Sequence, residues 1–330
     1  MKVGVLQFFS WPRRNVPLAT IYERALARID VMDSSGYDAV WLAEHHFTDY
    51  SVCPSVHLMG MHVANRTKNL RIGMGVSLAA LYHPLRLAEE VALLDVLAGG
   101  RVNWGAGRGF DPNEFGALEV PLEQSRARFQ EAVEIVLKAW TEERVSYDGE
   151  FYRFEDVEVL PKPAQKPHPP TWVAATSTEA MSWAGGAGYD ILLDPHCSGR
   201  ELADKHEFYA AQLASAGHRA EGREIPVARF LAVSENAREA EEIASRGVQW
   251  IFNSYAKPEN IAKVPNASTE RDQKRRFDYY MEDVVLHGTP DMVADKVARL
   301  REESGLNYLM CAPLSYESFK SFTDKVLPRL

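Results

Sequence analysis

The feature that most limits how this chain can fold is a beat: apolar runs of strand length alternate with longer helical patterns from one end to the other. "VGVLQF" precedes a helical pattern from Leu18 to Ser35, "DAVWLA" one from Ser55 to Asn65, and "LRIGMGVSL" one from Leu85 to Leu97. "VNWGAG", "PTWVAA", "DILL" and "VARFLAV" continue the series, each ahead of a segment rich in Ala, Glu, Leu and Arg. "NYLMC" closes it between helical patterns at Pro290 to Ser304 and Tyr316 to Val326. Strands apolar on both faces need cover on both sides, and repeated βα units supply it as a parallel sheet wrapped by helices. The count is about eight units, which favours an α/β fold of the closed (β/α)8 TIM barrel type, a single domain over residues 1–330, above an open doubly wound sheet.

A dinucleotide-binding reading fails on position. "GAGRGF" comes near the Gly-x-Gly-x-x-Gly fingerprint, but it follows the fourth strand rather than the first and has Phe110 where the last glycine belongs. Two segments interrupt the beat. Residues 145–170 alternate like a hairpin and end in a Pro-rich connector, a short β excursion between units. Residues 254–283 are polar and weakly periodic, a length that reads as either a disordered segment or a lid over a site, with Lys274, Arg275 and Arg276 either contacting a reductase or facing solvent.

Composition excludes several functions. With 46 acidic against 37 basic side chains the formal net charge is −9, which argues against nucleic acid or an anionic membrane as a main partner. Cys53, Cys197 and Cys311 are few, scattered and odd in number, so neither a disulfide framework nor a cysteine zinc site is expected, and a reducing cytoplasm is the natural compartment. No apolar stretch approaches the roughly 20 residues of a membrane span, and the first residues carry no cleavage pattern.

Chemistry concentrates in "DAVWLAEHHFTDY" (residues 38–50). In a barrel the C-terminal ends of the strands collect catalytic groups, and this strand delivers Glu44, His45 and His46 to that rim. Successive residues leaving a strand point to opposite sides, so one histidine faces the barrel mouth while the other packs or orients it. Imidazole suits proton transfer near neutrality. A satisfied structural pair is the bland alternative. A metal site is disfavoured because adjacent histidines diverge and no third ligand is placed, so no metal is expected.

Together, "GYDAVWLAEHHFTDY", "LYHPLRLAEEVALLDVLAGGRVNWGAGRGF", "QSRARF" and "GTPDMVADKVARL" make the chain resemble the bacterial luciferase-like, flavin-dependent monooxygenase family, in its luciferase-type branch, almost end to end. The resemblance implies a (β/α)8 barrel, usually a homodimer. It also implies a two-component activity: reduced FMN from a separate NAD(P)H:flavin reductase reacts with O2 to a flavin C4a-hydroperoxide that oxygenates a fairly apolar organic substrate. A dry pocket protects such a species from breakdown.

By the same resemblance His45 is the catalytic histidine, Glu44 lies near the flavin, and His46 has either a second active-site role or a packing one. Gly75, Val76 and Phe110 contact the flavin, with the small Gly75 letting a flat ring approach the backbone. Arg108 and Arg126 resemble the family's FMN-phosphate anchors. Ala175, Thr176 and Ser177 lie beside the cofactor, although a helix cap accounts for Ser177 equally well. Phe8 and Trp104 either line the substrate pocket or belong to the core. Luciferase α-type chains carry a cysteine just before "RG"; here that position is Gly107, which removes bulk and a thiol from the substrate side. Asp194, Pro195 and His196 also depart from the family pattern, with His196 a possible substrate contact. The alternatives are hydride transfer with the deazaflavin F420, or a non-catalytic flavin-binding protein.

Overall fold

The computed structural model describes residues 1–254 and 270–330. Its strands, in chain order, are β1 (Lys2–Gln7), β2 (Ala39–Leu42), β3 (Arg71–Met74), β4 (Ser77–Leu78), β5 (Val102–Gly107), β6 (Val145–Asp148), β7 (Arg153–Val157), β8 (Thr171–Ala174), β9 (Asp190–Leu192), β10 (Pro226–Val233), β11 (Leu286–Gly288) and β12 (Tyr308–Pro313). The helices are α1 (Leu18–Ser34), α2 (Val56–Arg66), α3 (Pro84–Leu97), α4 (Pro112–Ala117), α5 (Ser125–Thr141), α6 (Thr178–Ala187), α7 (Gly199–Ser215), α8 (Ala237–Ser254), α9 (Glu270–Tyr279), α10 (Pro290–Ser304) and α11 (Tyr316–Lys325). The chain divides into two compact units, Gln7–Ala174 and Met1–Leu6 with Ala175–Leu330.

In the first unit β2, β3, β5 and β8 form a parallel ladder in that order, with β4 also on β5. All six residues of β5 are buried, as a strand covered on both faces requires. Helix starts follow the side chains available. Ser55 caps α2 by accepting from the Leu58 N–H, and Pro84 opens α3 at a position where a missing N–H costs nothing. The run "LRIGMGVSL" is not one strand. It breaks at the cis peptide bond between Gly75 and Val76, and the remainder re-pairs as β4 on β5. The segment after α5 is an antiparallel hairpin, β6 with β7. Glu131 of α5 holds the hairpin's tip by accepting from the N–H groups of Glu150, Phe151 and Tyr152.

In the second unit β10, buried along all eight residues, lies between β11 and β12, and β12 pairs with β1. A parallel bridge from Leu193 to Val227 brings the end of β9 against β10. Helix α7 opens with a complete capping box between Ser198 and Glu201.

These ladders establish a parallel α/β class with flanking helices; a completely closed (β/α)8 barrel is a finer statement than they make. The lid expected at 254–283 lies outside the described residues over 255–269. From Glu270 onward it is helical, as α9 and a π-helical turn at Tyr280–Val284. Within α9 the expectation of a wholly solvated basic run is corrected. Lys274 pairs with Asp278 at 2.5 Å, but Arg276 is buried, its guanidinium 4.2 Å from the centre of the Phe252 ring. An apolar, cation-attracting ring face is a better site for that charge than the sequence pattern suggests.

Candidate active site

Strand β2 ends at Leu42, and the chain then turns through Ala43 into the titratable run. Glu44 is 2 % exposed, so its carboxylate must be satisfied from within. It accepts from the Tyr82 hydroxyl at 2.9 Å and the Leu78 N–H at 3.4 Å, and its Oε1 lies 3.0 Å from Nε2 of His46. The hydrogen bond to Glu44 raises the His46 pKa against the opposing effect of burial, aided by the charges of Glu44 and Glu114. Burial, then the Glu44 charge, holds the Tyr82 phenol well above its usual range, so it stays a donor.

His45 turns the other way, to a carboxylate that sequence reading missed. Its Nδ1 is 3.1 Å from Oε1 of Glu114, and the same oxygen accepts the His46 backbone N–H at 2.8 Å. The His45 ring meets Tyr50 and Phe110 edge-on, with centroids 5.1 and 6.1 Å apart, and its backbone N–H donates to the Cys53 carbonyl. Glu114 occupies the third position of α4, where a capping box would send the carboxylate back to Asp111. Asp111 instead caps the helix by itself through the Asn113 N–H, leaving Glu114 for the histidines. The available signal was this D-x-x-E start. It reads as a helix cap, and nothing local announces a partner 69 residues away.

The loop after β1 is laced to the same segment. Val52 N–H donates to the Phe9 carbonyl, Phe9 N–H to the Ser51 hydroxyl, and Trp11 N–H to the Asp49 carbonyl. Phe8 packs edge-on against Tyr50 at 5.1 Å. Phe47, directly after the histidines, is 68 % exposed with φ +56°, a conformation rarely adopted by a bulky side chain.

Gly75 donates its N–H to the Leu42 carbonyl, and Ser77 is held by His57 Nε2 at 2.9 Å. Gly107 does not open space: the volume a Cβ would take is occupied by Val76. Trp104 is fully buried with its ring edge-on to Trp140 of α5, which places it toward the helices. Arg108 reaches the Ser125 hydroxyl at 3.4 Å. Partial desolvation lowers its pKa, and the positive charge of Arg126 lowers it further. Neither arginine has a carboxylate partner among the described residues. Two neighbouring guanidinium groups without a counter-charge suit a bound phosphate, so the chain's own residues fit the anionic end of FMN.

The remaining predicted residues lie in the second unit. Ala175 follows β8 and is buried, Thr176 comes next, and Ser177 caps α6 by accepting from the Ala180 N–H. His196 Nδ1 is 2.9 Å from the Tyr280 hydroxyl, and burial lowers its pKa while raising that of Tyr280. Among the described residues no group of three or more His, Cys, Asp or Glu is arranged to hold a metal. No helix there is long and apolar enough to cross a membrane.

The profile of the family described as luciferase-like monooxygenase matches residues 1–308. The chain is 31% identical over 296 residues to the uncharacterized protein y4wF of Sinorhizobium fredii, covering 89% of this chain and 85% of that one. It is 28% identical over 257 residues to the alkanal monooxygenase alpha chain of Aliivibrio fischeri, covering 77% and 70%. Among solved structures, the monooxygenase RslO1 from Streptomyces bottropensis superposes with TM-score 0.86 at 28% identity, covering 100% of this chain and 99% of that one.

Proposed function

The chain belongs to the luciferase-like monooxygenase family, and on that premise we propose that it is the oxygenase of a two-component system, oxygenating a fairly apolar organic substrate with FMNH2 and O2. A separate reductase supplies the reduced flavin. FMN brings the electrons and the oxygen chemistry; the protein binds, orients, excludes water and handles protons. The observation that carries this reading is the pair of histidine–carboxylate contacts at the end of β2, His45 with Glu114 and His46 with Glu44.

Arg108 and Arg126 would hold the FMN phosphate, and Gly75, Val76 and Phe110 would lie against its ring. His45 is the proton-transfer group. His46, its charge favoured by Glu44, is an electrostatic partner rather than a base. Phe8 lies beside His45's neighbour Tyr50 and takes part in lining the substrate side. The active form is a homodimer. Exposed Leu58 of α2 and exposed Leu93, Val96 and Leu97 of α3 provide apolar surface for the second copy.

The test is stopped-flow mixing of photoreduced FMN and protein with aerated buffer. Oxidised-FMN absorbance should return more slowly than for free FMNH2, with hydrogen peroxide release delayed in step. Reoxidation at the free rate, with or without a panel of apolar ketones and aldehydes, defeats the monooxygenase reading. His45→Ala should leave FMN affinity within about threefold while abolishing product, since positioned proton transfer contributes about 10²–10⁴-fold.

A further inference from the structure

Oε1 of Glu114 lies 2.8 Å from the His46 backbone nitrogen and 3.1 Å from Nδ1 of His45. A backbone N–H only donates, so this oxygen is an acceptor. As a carboxylate Glu114 is acceptor-only, so Oε1 has lone pairs rather than a proton to offer the imidazole, and the hydrogen between Glu114 and His45 sits on Nδ1. We infer that Glu114 is the positioning residue for His45: it holds the neutral imidazole as the Nδ1–H tautomer, which makes Nε2 the nitrogen that accepts a proton. This rests on the reading of His45 as the proton-transfer group.

Three further observations support the assignment. Glu114 is 1 % exposed, so its contact with the ring is not diluted by water. The edges of Tyr50 and Phe110 confine the His45 ring, and its backbone is tied to Cys53. The second carboxylate oxygen, Oε2 of Glu114, is buried and has no hydrogen-bond partner among the described residues, so there the acid acts through Oε1. The opposite tautomer would set the Nδ1 lone pair against a carboxylate oxygen and forfeit a charge-assisted hydrogen bond, a bias of about 10- to 100-fold between tautomers. A proton taken up at Nε2 then creates an imidazolium whose charge faces Glu114, the arrangement by which a buried acid steadies a catalytic histidine.

Histidine-labelled, flavin-free protein read by long-range ¹H–¹⁵N correlation decides the matter, at a pH high enough that the His45 signals no longer change on further alkalinisation. His45→Ala identifies the His45 signals. The wild type should show protonated Nδ1 and pyridine-type Nε2. Glu114→Ala should shift the His45 population to mainly Nε2–H, and Glu114→Gln should keep Nδ1–H, because its amide oxygen still accepts. A wild-type His45 that is mainly Nε2–H overturns the inference, and so does an unchanged tautomer in Glu114→Ala. Should the alanine variant not fold, the wild-type spectrum alone decides. The readout uses no flavin, so it stands or falls separately from the stopped-flow test.

Discussion

Gly107 and Val76 compete for one volume: a Cβ built on Gly107 would lie 2.1 Å from Cγ2 of Val76. The glycine that replaces the luciferase-type cysteine is therefore matched to the bulk of its neighbour on the adjoining segment, and the missing side chain leaves no hole. Gly107→Ala should destabilise by about 1–3 kcal/mol, the usual cost of overpacking. Val76→Ala in the same chain should recover most of it, with a coupling of at least about 1 kcal/mol in a urea-denaturation double-mutant cycle. Additive effects would mean that the two side chains do not share the space.

A pH dependence follows from His46. Its pKa is raised in the folded state, chiefly by the hydrogen bond to Glu44. A raised folded pKa contributes stability that is fully present below the unfolded value of about 6.5 and fades as pH rises through the folded one. The stability gap between wild type and His46→Gln should thus be largest at about pH 6 and smaller at about pH 9. Equal gaps by chemical denaturation at the two pH values would contradict this. Tyr82→Phe removes a donor to the buried Glu44 carboxylate and should cost about 1.5–3 kcal/mol at either pH.

Much of this architecture was legible because it is local. The beat of apolar runs located the strands, and the cap alternative for Ser177 matches the start of α6. The break at Gly75–Val76 was hidden inside one continuous apolar run. The Glu114 contact was hidden by distance along the chain, since a glutamate three residues into a helix has a sufficient local explanation. Arg276 was read as solvated because charge clusters usually are, and only tertiary structure supplies the Phe252 ring that receives it. Trp104 was equally open: both faces of β5 are buried, and the sequence does not say which side meets Trp140.

The arginine pair predicts how flavins are told apart. Riboflavin lacks the phosphate that Arg108 and Arg126 are proposed to hold, so wild type should bind FMN more tightly than riboflavin. Arg108→Ala should weaken FMN binding by about 10- to 100-fold, the range of one charge-assisted hydrogen bond, while riboflavin affinity barely changes. Fluorescence-quenching titrations with both flavins check this. Loss of affinity for both alike would place Arg108 under the ring or in the scaffold instead.

The proposed second copy of the chain makes the last prediction. Leu58 is 76 % exposed and Leu97 61 %, unusual for leucines on helices whose other faces are packed against the unit's own strands and helices. An exposed leucine costs little if a partner buries it, and full burial of one is worth about 1.5–3 kcal/mol. Leu97→Glu puts a charge into that contact without touching the monomer's core, so it should shift the protein from dimer to monomer in light scattering at about 10 µM while leaving the monomer folded by circular dichroism. Leu58→Glu should act alike if α2 and α3 present one face. A dimer that survives both substitutions uses a different surface, and the exposed leucines then need another occupant.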